Sequence, residues 1–204
     1  MAAYRTVLLF GAPGSGKGTQ GKILNQLPGF RHLACGDVFR ALDRGSPLGI
    51  EFSKYASGGG LVPDELTVEL WRTTVAAMVA DGRYKPDEQI LLLDGIPRTL
   101  EQSKLMRDMI DVRAIVHLYI NDVMQIVQRL QARASKENRK DDADVEVIRH
   151  RIDVYEEQTR PVLEFYPITK ILRVNATQAP DKVTADILQM LEQLGTSTAD
   201  ADRW

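Results

Sequence analysis

A single cysteine, Cys35, stands in a chain of 204 residues, which leaves no partner for an intrachain disulfide and excludes a four-cysteine zinc site. Neither sign of charge dominates, since 26 Lys and Arg against 28 Asp and Glu give a formal net charge of −2. No global field is available to hold a nucleic-acid backbone or an anionic membrane, so an anion can be bound only by a local cluster. Long apolar runs are missing as well. Val7 to Phe10 and Ile90 to Leu93 fall far short of the ~20 residues that span a bilayer. The sequence does not open on a basic segment followed by a signal-length apolar stretch, so a cytoplasmic location is expected. What remains is 44% hydrophobic and 26% charged, a globular composition. A chain of this length buries roughly 70% of the surface it exposes when unfolded.

Short apolar runs at Thr6 to Phe10, Gln89 to Asp94, Ala114 to Ile120 and Thr169 to Val174, with a weaker fifth at Phe30 to Ala34, read as strands. Segments with helical spacing separate them: Lys17 to Gln26, Pro63 to Ala80, Thr99 to Met109, Asp122 to Ala134, Ala143 to Phe165 and Pro180 to Leu194. The alternation predicts an α/β fold, a five-stranded parallel sheet flanked by helices. Two stretches break the rhythm. Between Cys35 and Val62, short helical patterns are punctuated by Gly45, Pro47, Gly49 and Gly58 to Gly60, as in a small inserted subdomain spanning 34–66. Ser135 to Asp144 contains almost nothing to bury, and composition favours a solvated turn there. The polar stretch 196–204 reads as a frayed tail.

The first strand runs into Gly11-Ala-Pro-Gly14-Ser15-Gly16-Lys17-Gly18-Thr19, the spacing of a phosphate-binding loop between strand and helix. Glycines let successive backbone N–H groups curl round a phosphate, the helix N-terminus adds a positive end, and Lys17 adds a mobile charge. A structural turn needs neither the lysine nor so many glycines. Gly18 departs from the usual Ser or Thr after the lysine, so a magnesium ion must be held otherwise. Gly16 to Gly21 also fits a dinucleotide fingerprint, but that motif begins where the strand ends, near Phe10, which discounts the match. Ile90 to Asp94 is an apolar strand ending in a carboxylate; Asp94 fits either a helix cap or a group that orders Mg²⁺ and its waters.

On the expected helix Asp122 to Ala134, Val123, Ile126, Val127 and Leu130 mark a buried stripe, with Arg129 and Arg133 four residues apart along its edge. They can face one ligand together or snorkel at the surface. Farther on, Val145, Ile148, Ile152, Tyr155 and Thr159 set an inward face that Arg151 flanks, while His150 points away into solvent. Pro161 should kink this helix. His32 and His117 lack metal-ligand spacing and are assigned structural roles.

The phosphate loop, together with Asp94-Gly95-Ile96-Pro97-Arg98-Thr99 and Gln102, resembles the adenylate kinase family of nucleoside monophosphate kinases. Further matches run in the family's order along most of the chain: Cys35-Gly36-Asp37 with Arg40, Gly60-Leu61-Val62 with Asp64, Arg129 with Arg133, Arg139-Lys-Asp141-Asp142, Arg151 with Tyr155, Thr159 with Pro161, and Val174-Asn-Ala-Thr177. The resemblance implies a P-loop kinase core with two small mobile insertions, 34–66 over the monophosphate and a lid at 129–144 over the donor. Only five residues, Ala134 to Asn138, separate Arg133 from Arg139, which resembles the short-lid form without zinc.

By that resemblance Lys17, Arg98, Arg133, Arg139 and Arg151 are the catalytic set. ATP is expected at Gly14, Ser15, Gly16, Lys17, Gly18, Thr19, Arg129, Arg133 and the backbone of Gln178. AMP is expected at Cys35, Arg40, Gly60, Leu61, Val62, Gly95, Arg98, Gln102, Arg139 and Arg151. Mg²⁺ is to be held by Asp94 through water, and Asp141 with Asp142 orients the arginines as the lid closes. The implied reaction is Mg·ATP + AMP to two ADP, by a monomer whose partners are ATP, AMP and ADP, with no nucleic acid and no membrane. A UMP/CMP-type or broad-acceptor kinase is the alternative, and a module that binds nucleotide without turnover is a third reading. Gln102 and Thr99 favour AMP, since an amide pairs with an adenine edge and relatives acting on UMP or CMP commonly carry Asn at both positions. Ile96 replaces the family's usual Phe, Ala34-Cys35 its usual Ser-Thr, and Asn175-Ala176 its usual Asp-Gly.

Overall fold

Strand side chains alternate between two apolar layers, and this period of two builds the sheet. A computed structural model describes residues 3–56, 60–137 and 142–195. Among them, β1 (Tyr4–Phe10), β2 (Phe30–Ala34), β3 (Ile90–Asp94), β4 (Ile110–Tyr119) and β5 (Ile171–Asn175) pair in the order β2-β3-β1-β4-β5, all parallel. Leu8 and Phe10 of β1 join one core with Leu91 and Leu93 of β3, whereas Val7 and Leu9 join the other with Leu92. Because both faces are covered, the strands read as unbroken apolar runs.

α1 (Lys17–Leu24) and α8 (Pro180–Gln193) cover the second face through Leu24, Val183, Ile187 and Leu191. α4 (Asp64–Ala80) supplies Val68, Trp71, Val75 and Met78 to the first, where Phe39 of α2 (Cys35–Arg40) joins them. α3 (Pro47–Ala56) is tied to α2 by stacking of Phe52 on Phe39, with ring centroids 4.9 Å apart. α5 (Leu100–Leu105) lies on the same face as α4. A third cluster, Ile126, Leu130 and Ile148, clamps α6 (Val123–Glu137) and α7 (Val145–Val154) against Ala12.

Several elements depart from the pattern in the sequence. α5 stops at Leu105 rather than Met109 because the chain must turn to let Ile110 pair with Tyr4. Val123 is 53% exposed and does not belong to the buried stripe of α6: the cluster beneath that helix starts at Ile126, and periodicity names a face without supplying a partner for it. α6 continues to Glu137, so the helix extends into the expected turn. The long helix after Ala143 changes at Tyr155 to one π turn and at Arg160 to a 3₁₀ segment ending at Phe165, consistent with the missing N–H of Pro161. Expectations for Gly58, Gly59, Arg139, Asp141 and 196–204 lie outside the described residues.

Candidate active site

The carboxyl ends of β1 and β3 lie side by side, Leu9 opposite Asp94. The chain leaves β1 for α1 on one face and leaves β3 for α5 on the other. Such divergence opens a crevice at the end of a parallel sheet, and a cleft of about 630 Å³ occupies it.

The floor is the loop from Gly11 to Gly16. Gly11 has φ +144°, and a Cβ there would stand 2.4 Å from the Leu118 carbonyl oxygen, so the loop closes only over glycine. Lys17 Nζ donates to the carbonyls of Gly11 at 2.6 Å and Ala12 at 3.0 Å. Burial pulls its ammonium down to about 8; the Asp94 carboxylate opposes this, and Arg98, Arg133 and Arg151 add to it. The lysine is thus a cation lacking a full complement of counter-charge, at the N-terminus of α1, where unpaired N–H groups also favour an anion. Ser15 Oγ is buried in the same loop with no hydrogen-bond partner.

Asp94 closes the opposite wall. Burial works to raise its pKa, but His32, Lys17 and Arg98 outweigh it and hold the carboxyl below its ordinary value. His32 Nε2 lies 3.8 Å from Asp94 Oδ2, beyond hydrogen-bond reach. Sequence reasoning gave this histidine a structural role because it lacks metal-ligand spacing with His117; its place beside Asp94 comes from the pairing of β2 with β3.

Arginines ring the mouth of the cleft. Arg98 Nε donates to the Gly95 carbonyl at 2.9 Å, and a Cβ on Gly95, whose φ is +81°, would lie 2.8 Å from Arg98 Nη2. Arg40 pairs with Asp37 at the end of α2. Arg129 and Arg133 both line the cleft, so their spacing on α6 does direct them to one space. Arg133 is held by Asp142, Nε to Oδ2 at 2.6 Å and Nη2 to Oδ1 at 3.0 Å, and Arg151 Nη1 donates to the same Oδ1. Asp142 is fully buried. Burial would raise its pKa, yet the two guanidinium groups keep it below the ordinary 3.8. The expected solvated turn therefore contains an anchor that draws α6 and α7 together.

Of the predicted site residues, Gly14 to Thr19, Arg40, Leu61, Asp94, Gly95, Arg98, Arg129, Arg133, Arg151 and Gln178 line this one cleft. Gln178 spends its amide nitrogen on the Asn175 carbonyl and Asp186. Cys35, Gly60, Val62 and Gln102 do not line it. Cys35 is buried and its thiol pushed up to about 11 by that burial. Gln102 is 2% exposed, with its amide turned toward Asp64. Cleft residues absent from the predicted set include Asp37, Lys136, Tyr155 and Thr159.

A family model described as Adenylate kinase matches residues 9–171 of the chain. The chain belongs to the adenylate kinase family. An adenylate kinase from Mycolicibacterium smegmatis is 39% identical over 194 residues, covering 92% of this chain and 99% of that one. One from a Cyanothece species is 37% identical over 196 residues, covering 92% and 95%, and one from Leptospira biflexa is 34% identical over 195, covering 92% and 100%. With these relatives the chain is a phosphotransferase, which sets aside a module without turnover. Among the described residues, no helix is long and apolar enough to cross a membrane.

Proposed function

We propose that the chain transfers the γ-phosphoryl group of Mg·ATP to AMP and yields two ADP. The observation that carries this reading is the convergence of Lys17, Asp94, Arg40, Arg98, Arg129, Arg133 and Arg151 on a single cleft. Two polyanions can meet only where their repulsion is compensated, and a binding module for one nucleotide has no need of cations on both sides.

The loop from Gly11 and the N-terminus of α1 grip the donor phosphates, and Lys17 leaves the carbonyls of Gly11 and Ala12 to follow the γ-phosphoryl group. Arg40, Arg98 and Arg151 hold the acceptor phosphate in line. Its oxygen forms the new P–O bond as the bond between the γ-phosphorus and the β,γ-bridging oxygen breaks, leaving ADP on either side. Arg129 and Arg133, with Arg139 in the segment beyond α6, balance charge on the transferring group. Water is excluded as the arginine-bearing helices draw in.

Magnesium fits the residues present. Asp94 keeps a low-pKa carboxyl beside Lys17, and a Cβ on Gly18 would come within 3.5 Å of Asp94 Oδ2, so the absent side chain leaves room at that oxygen. Asp94 would hold the ion's waters, and the ion supplies charge neutralisation on the triphosphate. The proposal includes a monomer in the cytoplasm. A coupled assay of ADP formation with AMP, CMP, UMP and GMP under fixed Mg·ATP tests it: AMP is expected to give the highest kcat/KM, and preference for a pyrimidine would overturn the acceptor assignment.

A further inference from the structure

Asp64 begins α4 and takes no part in the phosphate chemistry above, yet two side chains of the segment 99–102 meet on it. Its Oδ1 accepts from Thr99 Oγ1 at 3.0 Å and from Gln102 Nε2 at 2.8 Å. At the other end of the same amide, Gln102 Oε1 accepts the backbone N–H of Arg98 at 2.7 Å. The Thr99 hydroxyl accepts the Gln102 N–H at 3.0 Å, capping α5, so backbone and side chain of Gln102 are both held.

Both partners of the amide work in one direction only. A carboxylate oxygen accepts and cannot donate, and a backbone N–H donates and cannot accept. Turning the amide over would press Oε1 against Asp64 and the NH₂ group against the Arg98 N–H. At 2% exposure no water could relieve such a clash. One N–H and one lone pair of the amide are left over, in a set order. A 6-aminopurine presents a donor at N6 beside an acceptor at N1, whereas a 6-oxopurine presents an acceptor at O6 beside a donor at N1. The two edges have the same shape and opposite polarity, so an amide that cannot turn matches one and repels the other.

We propose that Asp64 is a positioning residue for acceptor selectivity: it locks Gln102 in the sense that accepts an aminopurine monophosphate and rejects an oxopurine monophosphate. This rests on the reading of Gln102 as the group that meets the acceptor base. An asparagine at 64 would keep the shape but lose the carboxylate's charge and could present a donor, so the sense of the amide would rest on the Arg98 N–H alone.

The experiment measures kcat/KM for AMP and for IMP at saturating Mg·ATP in wild type, Asp64→Asn, Gln102→Ala and the double variant. Asp64→Asn is expected to lower the AMP to IMP ratio about tenfold or more, with the KM for ATP changed less than about twofold. The double variant should discriminate no worse than Gln102→Ala alone, since Asp64 acts through that amide. Should Asp64→Asn fail to fold, Asp64→Ser, whose hydroxyl also donates and accepts, replaces it. Equal losses on both acceptors, or an unchanged ratio beside a lowered ratio in Gln102→Ala, would overturn the positioning role. An unchanged ratio in Gln102→Ala would instead remove the base-reading role of Gln102, and the proposal with it.

Discussion

Lys17 is half-buried, bonded to two carbonyls, and held near a pKa of about 8 against an ordinary 10.5. A phosphate arriving beside it favours the charged form, so ATP binding at pH 8 is expected to take up protons, while binding at pH 6.5, where the lysine is already charged, takes up few. Calorimetry in buffers of different ionisation enthalpy measures this, and Lys17→Met should abolish the uptake while lowering kcat roughly a hundredfold or more in a folded protein. Asp142 gives the opposite sign. Its folded pKa lies below the ordinary 3.8, so its contribution is fully present above about pH 4 and is lost as pH falls through the lower folded value. Asp142→Asn should cost about 2 kcal/mol at pH 7, less than a wholly buried pair because Arg133 and Arg151 side chains stay 28% and 18% exposed. Denaturant melts from pH 7 to pH 3 should show wild type and variant converging at the acid end.

At the scale of elements, α3 and α6 are held by side-chain packing rather than by the sheet's hydrogen-bonded ladder. α3 reaches the core through Leu48 and the stacking of Phe52 on Phe39, and α6 through Ile126 and Leu130 over Ala12. Small apolar anchors of this kind permit rigid-body movement while the strands stay fixed. A ligand joining two adenosines through five phosphates is therefore expected to slow amide exchange across α2, α3, α6 and α7, with little change in β1, β3 and β4. Equal exchange in α3 and α6 with and without the ligand would reject closure of these two segments over substrate.

For the whole molecule, stability and catalysis have separate foundations. Leu92 is fully buried in the middle of β3, in the face covered by α1 and α8, two residues before Asp94 and with its side chain in the core. Leu92→Ala is expected to lower stability by roughly 2–5 kcal/mol through lost burial and the cavity left behind. At a temperature where the variant stays folded, kcat should remain within about threefold of wild type, because the backbone that presents Asp94 is held by its ladder to β1 and β2. Thermal melts beside steady-state rates measure the two effects independently.

Asp94, at the end of its own strand, fitted a helix cap as well, but local chemistry alone was enough to place the phosphate loop and Lys17, because a glycine-rich turn between strand and helix is a contiguous feature whose geometry follows from its own residues. The same holds for the five strands and for the shared direction of Arg129 and Arg133, which depend on periods of two and 3.6. Strand order could not be read that way: β1 sits between β3 and β4, partners more than eighty residues distant in the chain. Nor could the exposure of Val123, which depends on what lies under α6, or the place of His32 beside Asp94. The acidic stretch looked like a solvated turn because charge is usually solvated; only folding brings Arg133 and Arg151 onto Asp142 and makes burial of that carboxylate tolerable. Gln102 was legible as an amide able to read a base, but the direction in which it points is set by the Arg98 N–H together with Asp64, 38 residues earlier. Such contacts carry no local signature, since the entropy of closing the loop between two residues constrains their identity hardly at all.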